Sequence, residues 1–168
     1  MNKYDKNNAY KLDPSDYDGE EEYLDALRSC WQGKYDPDFK CNIDVDDYDC
    51  EKEYRKALVQ DWQDMYDQQH RFNGFRFERF KTVDDYFVEY NDRLNWMKQC
   101  DAEGKYSKLD PSYCDNLIQY KHQVNLRKAW KNKYDPNNEF PSVDPCDYKS
   151  VEDYHEALKD CDKRSLKS

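Results

Sequence analysis

A chain of 168 residues has the size of one ordinary domain. Leu, Val, Ile and Phe together number only 26, short of the roughly 20 % of a conventional aliphatic core, whereas 16 Tyr, 4 Trp and 7 Phe exclude a disordered acidic tail. No stretch approaches the ~18 apolar residues of a membrane-spanning helix and Met1–Asp5 holds no apolar run, so neither a membrane helix nor a standard secretory leader is expected, and a cytoplasmic setting is.

The core has to be built largely from tyrosine rings. The net charge of −10 is uneven: residues 1–70 carry 19 acidic and 9 basic side chains, residues 71–168 carry 18 of each. A field of that sign repels nucleic acid and attracts basic surfaces. Seven cysteines form no CxxC pair, so reduced, partly buried thiols are expected rather than a zinc site or a disulfide scaffold.

Internal similarity organises the chain. Asp13–Leu27 (DPSDYDGEEEYLDAL), Asp44–Leu58 (DVDDYDCEKEYRKAL) and Asp144–Leu158 (DPCDYKSVEDYHEAL) match, with more diverged copies over Arg79–Tyr86 and Asp110–Tyr120. Anchored on Tyr23, Tyr54, Tyr86, Tyr120 and Tyr154, the copies recur every 31, 32, 34 and 34 residues. A second anchor precedes each: Tyr4, Tyr35, Tyr66, Tyr106 and Tyr134, each after Lys or Met. The reading is an all-α fold: one domain over 1–168, made of five tandem repeats (about 1–33, 34–64, 65–97, 98–131 and 132–168) stacked as an array or bundle.

Each copy reads as an amphipathic helix followed by an Asp- and Pro-rich arm. In the first, Tyr23, Ala26, Leu27, Cys30 and Trp31 fall on one helical face; in the second, Tyr54, Ala57, Leu58 and Trp62 do so; in the third, Tyr86, Phe87, Tyr90, Leu94 and Met97. Capping pairs are expected at Asp18 with Glu21, Thr82 with Asp85 and Ser150 with Asp153, and helix ends near Gly33 and Gly104. All six prolines lie in the arms.

The phrase Asp-Pro-x-Asp-Tyr…Glu-x-Tyr-x-x-Ala-Leu at 13–27, 44–58 and 144–158 resembles segments of uncharacterised bacterial and phage-borne proteins. The resemblance covers about a third of the chain and carries no functional residue. It implies a provenance among phage or mobile-element proteins, including anti-CRISPR and other anti-defence proteins.

Catalysis is not expected. His70, His122 and His155 fall at unrelated positions, and no GxSxG, P-loop or HExxH pattern occurs. Nor is a cofactor or metal: counted from Asp44, an EF-hand loop would need a ligand at position 12, which is Arg55. Two surfaces remain. The first is an acidic face of Asp16, Asp18, Glu20, Glu21, Asp46, Asp47 and Asp49, whose regularly placed carboxylates could stand where phosphates sit. The second is the arm with Arg71, Phe72, Phe75, Arg76, Phe77 and Arg79, where rings alternate with guanidinium groups as in a contact surface, or where Asn73-Gly74 turns a small hairpin with the phenylalanines packed under it. The expected function is non-catalytic inhibition of a nucleic-acid-processing enzyme, a nuclease or other protein with a basic groove, rather than direct nucleic-acid or membrane binding. The alternative is a bacterial scaffold or adaptor that binds a protein through Tyr and Trp surfaces.

Overall fold

A short 3-10 turn precedes every helix, and an aspartate starts four of the five turns. Asp13, Asp44, Asp110 and Asp144 each accept the backbone N–H two residues on, at 2.8–3.0 Å, which satisfies one of the amides left open at a helix start. In the computed structural model, which describes residues 3–167, the turns are Pro14–Asp16, Val45–Asp47, Phe77–Arg79, Pro111–Tyr113 and Pro145–Asp147. The helices that follow are α1 (Glu20–Tyr35), α2 (Glu51–Tyr66), α3 (Val83–Cys100), α4 (Leu117–Tyr134) and α5 (Val151–Ser165). The fold is all-α, with no strand among the described residues.

Capping follows the expected chemistry with shifts of partner. Ser150 and Asp153 form a reciprocal box, Asp153 N–H donating to Ser150 Oγ at 3.2 Å while the hydroxyl donates to the carboxylate at 2.7 Å. At α4 the Gln119 N–H donates to Asn116 Oδ1 at 3.0 Å, while the Gln119 side-chain oxygen accepts the Asp115 amide at 2.9 Å. At Thr82 only half the box exists: Asp85 accepts the Thr82 and Lys81 amides. The first helix departs from expectation, since its cap is Gly19 and the Asp18 amide donates to Glu22 rather than Glu21. Gly33 lies inside α1 and ends nothing.

Each of the first four helices ends at an aspartate that organises the chain beyond it. Asp36, Asp67, Asp101 and Asp135 are 1–8 % exposed, and Asp5 occupies the same place ahead of α1 at 6 %. Their carboxylates accept the amide four residues on, from Ala9, Lys40, Arg71, Lys105 and Glu139, at 2.7–3.0 Å. The third residue after each aspartate is left-handed: Asn8, Phe39, His70, Gly104 and Asn138 have φ between +48° and +68°. A carboxylate opposes the negative end of a helix dipole by about 0.3–1 kcal/mol, but amide bonds to a charged acceptor are each worth about 1.5–3 kcal/mol and decide the outcome.

These aspartates correct the fourth anchor. The loop residue is Asp101, preceded by Cys100 where Tyr35 and Tyr134 stand, and Tyr106 is six residues too late, its amide donating to Asp101 as that of Tyr10 does to Asp5.

The contacts divide the chain into two compact units where the sequence reads as one domain. One is the segment up to Arg71 with Phe75–Asn91; the other is Phe72–Gly74 with the segment from Asp92 onward, the division falling inside α3. In the first unit Tyr23, Leu27 and Trp31 of α1 share a core with Tyr54, Leu58 and Trp62 of α2 and with Phe80 and Tyr86. In the second, Tyr154, Leu158, Trp130 and Val143 form one cluster, and Cys114, Tyr120 and Val124 with Trp96 form another. Tyrosine pairs stitch turn to helix: Tyr17 to Tyr23 at 5.4 Å and Tyr48 to Tyr54 at 5.7 Å.

Candidate interaction surfaces

An arginine on each of the first four helices reaches the carbonyl that closes the next 3-10 turn. Arg28 Nε donates to Tyr48 O at 2.9 Å, Arg55 to Phe80 O at 3.3 Å, Arg93 to Cys114 O at 3.4 Å and Arg127 to Tyr148 O at 3.0 Å. Arg28, Arg93 and Arg127 are 2–8 % exposed. Arg93 and Arg127 also lie over the tryptophan one turn on, Trp96 at 3.9 Å and Trp130 at 4.5 Å. The sequence reading missed these residues; the available signal was an arginine eight residues, and a tryptophan five residues, before Asp36, Asp101 and Asp135.

The net charge follows the division into units. The first holds 23 acidic and 13 basic side chains, the second 14 of each, so the whole −10 resides in the first. All seven acidic candidates are exposed. The fold brings Glu21 and Asp49 together, with Asp25, around Arg28 at 2.8–3.3 Å. Glu20 accepts from the Tyr4 hydroxyl and from Lys3 at 3.2 Å, which holds its carboxyl below the ordinary 4.5. The side chains of Asp16, Asp18, Asp46 and Asp47 form no hydrogen bond or ion pair among the described residues, and these four are the carboxylates left free to meet a partner.

Beside them lies Glu51, the counterpart of Glu20. Burial alone would raise its carboxyl, but the Tyr10 hydroxyl at 2.6 Å, the Tyr35 hydroxyl at 2.5 Å and Lys34 at 3.3 Å outweigh burial and hold it below 4.5. Asp135 and Asp144 are likewise held below 3.8, each against the burial that opposes ionisation, chiefly by Lys131 and by the Cys146 amide respectively. A depressed carboxyl stabilises the fold above its unfolded value, and that stability is lost as pH falls through the folded value. The melting temperature is therefore expected to stay level from neutral to about pH 5 and to drop towards about pH 3. Glu51→Gln should cost about 1 kcal/mol at neutral pH and almost nothing at the acid end, as read from thermal melts at both.

The Arg/Phe arm is mostly packing. Phe72 is 1 % exposed, so it is no contact surface. Phe75 meets Phe80 at 5.3 Å and Tyr86 at 5.6 Å, and Phe77 lies under Arg55. No hairpin forms at Asn73-Gly74: those amides donate to Asp110 and Ser112, and a Cβ on Gly74 would fall 2.6 Å from the Tyr113 nitrogen. Arg71 bonds Gln69, Arg79 pairs with Glu89 at 3.5 Å, and Arg76 stays exposed.

Other candidates are placed as follows. His155 is not on an open face but stacks on Tyr134 at 4.3 Å. All seven cysteines are free thiols; burial pushes Cys41 and Cys146 up to about 12, and Cys50, at the cap of α2, is exposed. No cluster of metal-ligating side chains occurs among the described residues, and no helix there is long and apolar enough to cross a membrane. The surface cavities include one of about 470 Å³ beside Tyr17 and Asp18 in the first unit, and two of about 440 and 460 Å³ that share Lys105 and Tyr106 in the second. No protein-family model, curated protein or solved structure matches the chain.

Proposed function

We propose that the chain is a five-repeat helical array that acts, without catalysis, as an inhibitor of the anti-defence type, its acidic unit occupying the basic groove of a nuclease or other nucleic-acid-processing enzyme. The observation that carries this reading is the set of four exposed, unpaired carboxylates Asp16, Asp18, Asp46 and Asp47 on equivalent turns, within the unit that holds all of the net charge. Groups of this sign at fixed spacing compete for the electrostatic contacts that dominate nucleic-acid binding. Held by capped turns, they lose little freedom on docking.

The test is displacement of a labelled DNA duplex from a panel of restriction and CRISPR-effector nucleases. The chain should compete at low salt and fade as salt rises. The variant Asp16→Asn/Asp18→Asn/Asp46→Asn/Asp47→Asn should compete at least about tenfold less well. Equal competition by chain and variant, or none by either at low salt, would overturn the reading.

The scaffold alternative has a narrower base than the sequence offers. Trp31, Trp62 and Trp130 are buried, so tryptophan supplies no surface there. What supports it is the exposed group Tyr66, Phe87 and Val88, in which Tyr66 and Phe87 meet at 5.2 Å. Binding indifferent to salt would favour it.

A further inference from the structure

In the first four helices the arginine described above closes on the turn that follows, and the turn at Pro14–Asp16 is the one with no helix before it among the described residues. Tyr17 closes that turn as Tyr48 closes the second and Tyr148 the fifth, its own amide donating to Pro14 as theirs donate to Val45 and Pro145. Asp18 follows Tyr17 as Asp49 follows Tyr48, and Asp49 takes Nη2 of Arg28 at 2.8 Å. No arginine bonds the Tyr17 carbonyl or Asp18 among the described residues. At this place lies the cavity of about 470 Å³, walled by the rings of Tyr17 and Tyr23, by Pro14 and Asp18, and on one side by Lys3, which lies over the Tyr4 ring and pairs with Glu20 at 3.2 Å, so that Asp18 is the wall carboxylate without a cation among the described residues.

We infer that this groove is the docking site for an arginine presented by a helix of a partner protein, the guanidinium bonding the Tyr17 carbonyl and the Asp18 carboxylate as Arg28 bonds Tyr48 and Asp49. The inference rests on the reading of the acidic unit as the binding unit and names the residue it takes. Three features fix the chemistry. The carbonyl and carboxylate are both acceptors, spaced in the second turn for the fork of one guanidinium, which a lysine ammonium lacks. The aromatic wall suits the flat, weakly hydrated guanidinium face. The net charge of −10 in this unit draws a basic helix towards it.

A second copy of this chain is not the occupant. Its α5, the helix with no turn after it among the described residues, carries His155, Lys159 and Cys161 where Arg55, Arg28 and Arg127 stand on their helices. It therefore offers no guanidinium at any of the three positions that make the contact.

The probe is a capped synthetic peptide of residues 117–135, the basic α4 segment whose Arg127 makes the carbonyl half of this contact in the chain, where Lys149 follows Tyr148. Added to the isotope-labelled full-length protein, it should shift the amide resonances of Tyr17–Tyr23 and leave those of the Asp46–Asp49 turn in place. Arg127→Lys in the peptide, which keeps the charge, should weaken binding at least about tenfold. Asp18→Asn in the protein should weaken it by a similar factor, and Asp46→Asn/Asp47→Asn should not. Because a free peptide of this length is only marginally helical, the same segment is also joined ahead of the chain by a Gly/Ser linker, which raises its effective concentration to about millimolar. Equal binding by the Arg and Lys peptides, or shifts centred on the second turn, would overturn the groove and leave the acidic reading standing. No shift even in the fused protein would overturn the groove alone, since competition for the nuclease is measured separately. Head-to-tail dimers that bury Tyr17 in the unfused chain would also overturn it.

Discussion

Asp101→Ala should destabilise the second unit by about 2–4 kcal/mol, read from urea or thermal unfolding. The carboxylate is 8 % exposed and accepts the Lys105 amide at 2.9 Å and the Tyr106 amide at 2.8 Å, while the Asp101 carbonyl takes the Gly104 amide at 2.9 Å. Alanine keeps the last bond and removes both side-chain bonds, leaving two donors with no acceptor in a partly buried loop. Asparagine is not a remedy. It offers one oxygen and turns an NH₂ group towards the other amide, so Asp101→Asn should recover at most half of the loss. Equal stability of all three proteins would show that the loop is held by something else. Glycine at 104, with φ +68°, is the position in this loop best suited to left-handed backbone, so conformational strain does not confuse the comparison.

Arg28→Met should be almost as damaging in the first unit, about 2–3 kcal/mol, and Arg28→Lys should recover little of it. Glu21, Asp25 and Asp49 around this arginine are 60–80 % exposed in their side chains, so solvent screens the ion pairs and each contributes little. The larger contribution is the half-buried bond from Nε to the Tyr48 carbonyl, because methionine fills the apolar part of the space but leaves that carbonyl without its donor. Lysine cannot reach carbonyl and carboxylates together from one nitrogen. Raising the salt concentration should therefore leave the loss nearly unchanged; a loss that vanished in salt would put the contribution in the ion pairs instead.

The helices were legible because Tyr23, Leu27 and Trp31, and their counterparts in α2, recur at the helical period with few competing signals. The 3-10 turns were not: Asp-Pro-Ser-Asp has the composition of any irregular arm, and only the carboxylate-to-amide bond makes it a turn. The fourth register was misplaced because Cys100 stands where the anchoring tyrosine belongs while Lys105-Tyr106 offers a better match six residues later. The arginine contacts were hidden for a physical reason. Arg93 and Arg127 occupy stripe positions, seven residues after Tyr86 and Tyr120, and Arg28 flanks the stripe one turn after Leu24; a charged residue there breaks the apolar pattern although its stem packs like a hydrophobe and its head meets a carbonyl. Phe72 shows the opposite error: alternating rings and guanidinium groups look like a contact strip, but the ring is buried. The charge division was legible in outline, and the fold drew the boundary through α3 rather than at residue 70.

The distribution of thiols has a practical consequence. Of seven cysteines, Cys50 alone is exposed, while burial holds Cys41 and Cys146 protonated far above neutral pH. Thiolate is the reactive form, so a maleimide or nitroxide reagent meets Cys50 as the most open thiol, ahead of the half-buried Cys30, Cys100 and Cys161. That sulfur sits at the start of α2, directly after the Asp46–Asp49 turn. The natural sequence thus supplies a preferred attachment point for a dye or spin label beside the acidic turns, with no cysteine introduced.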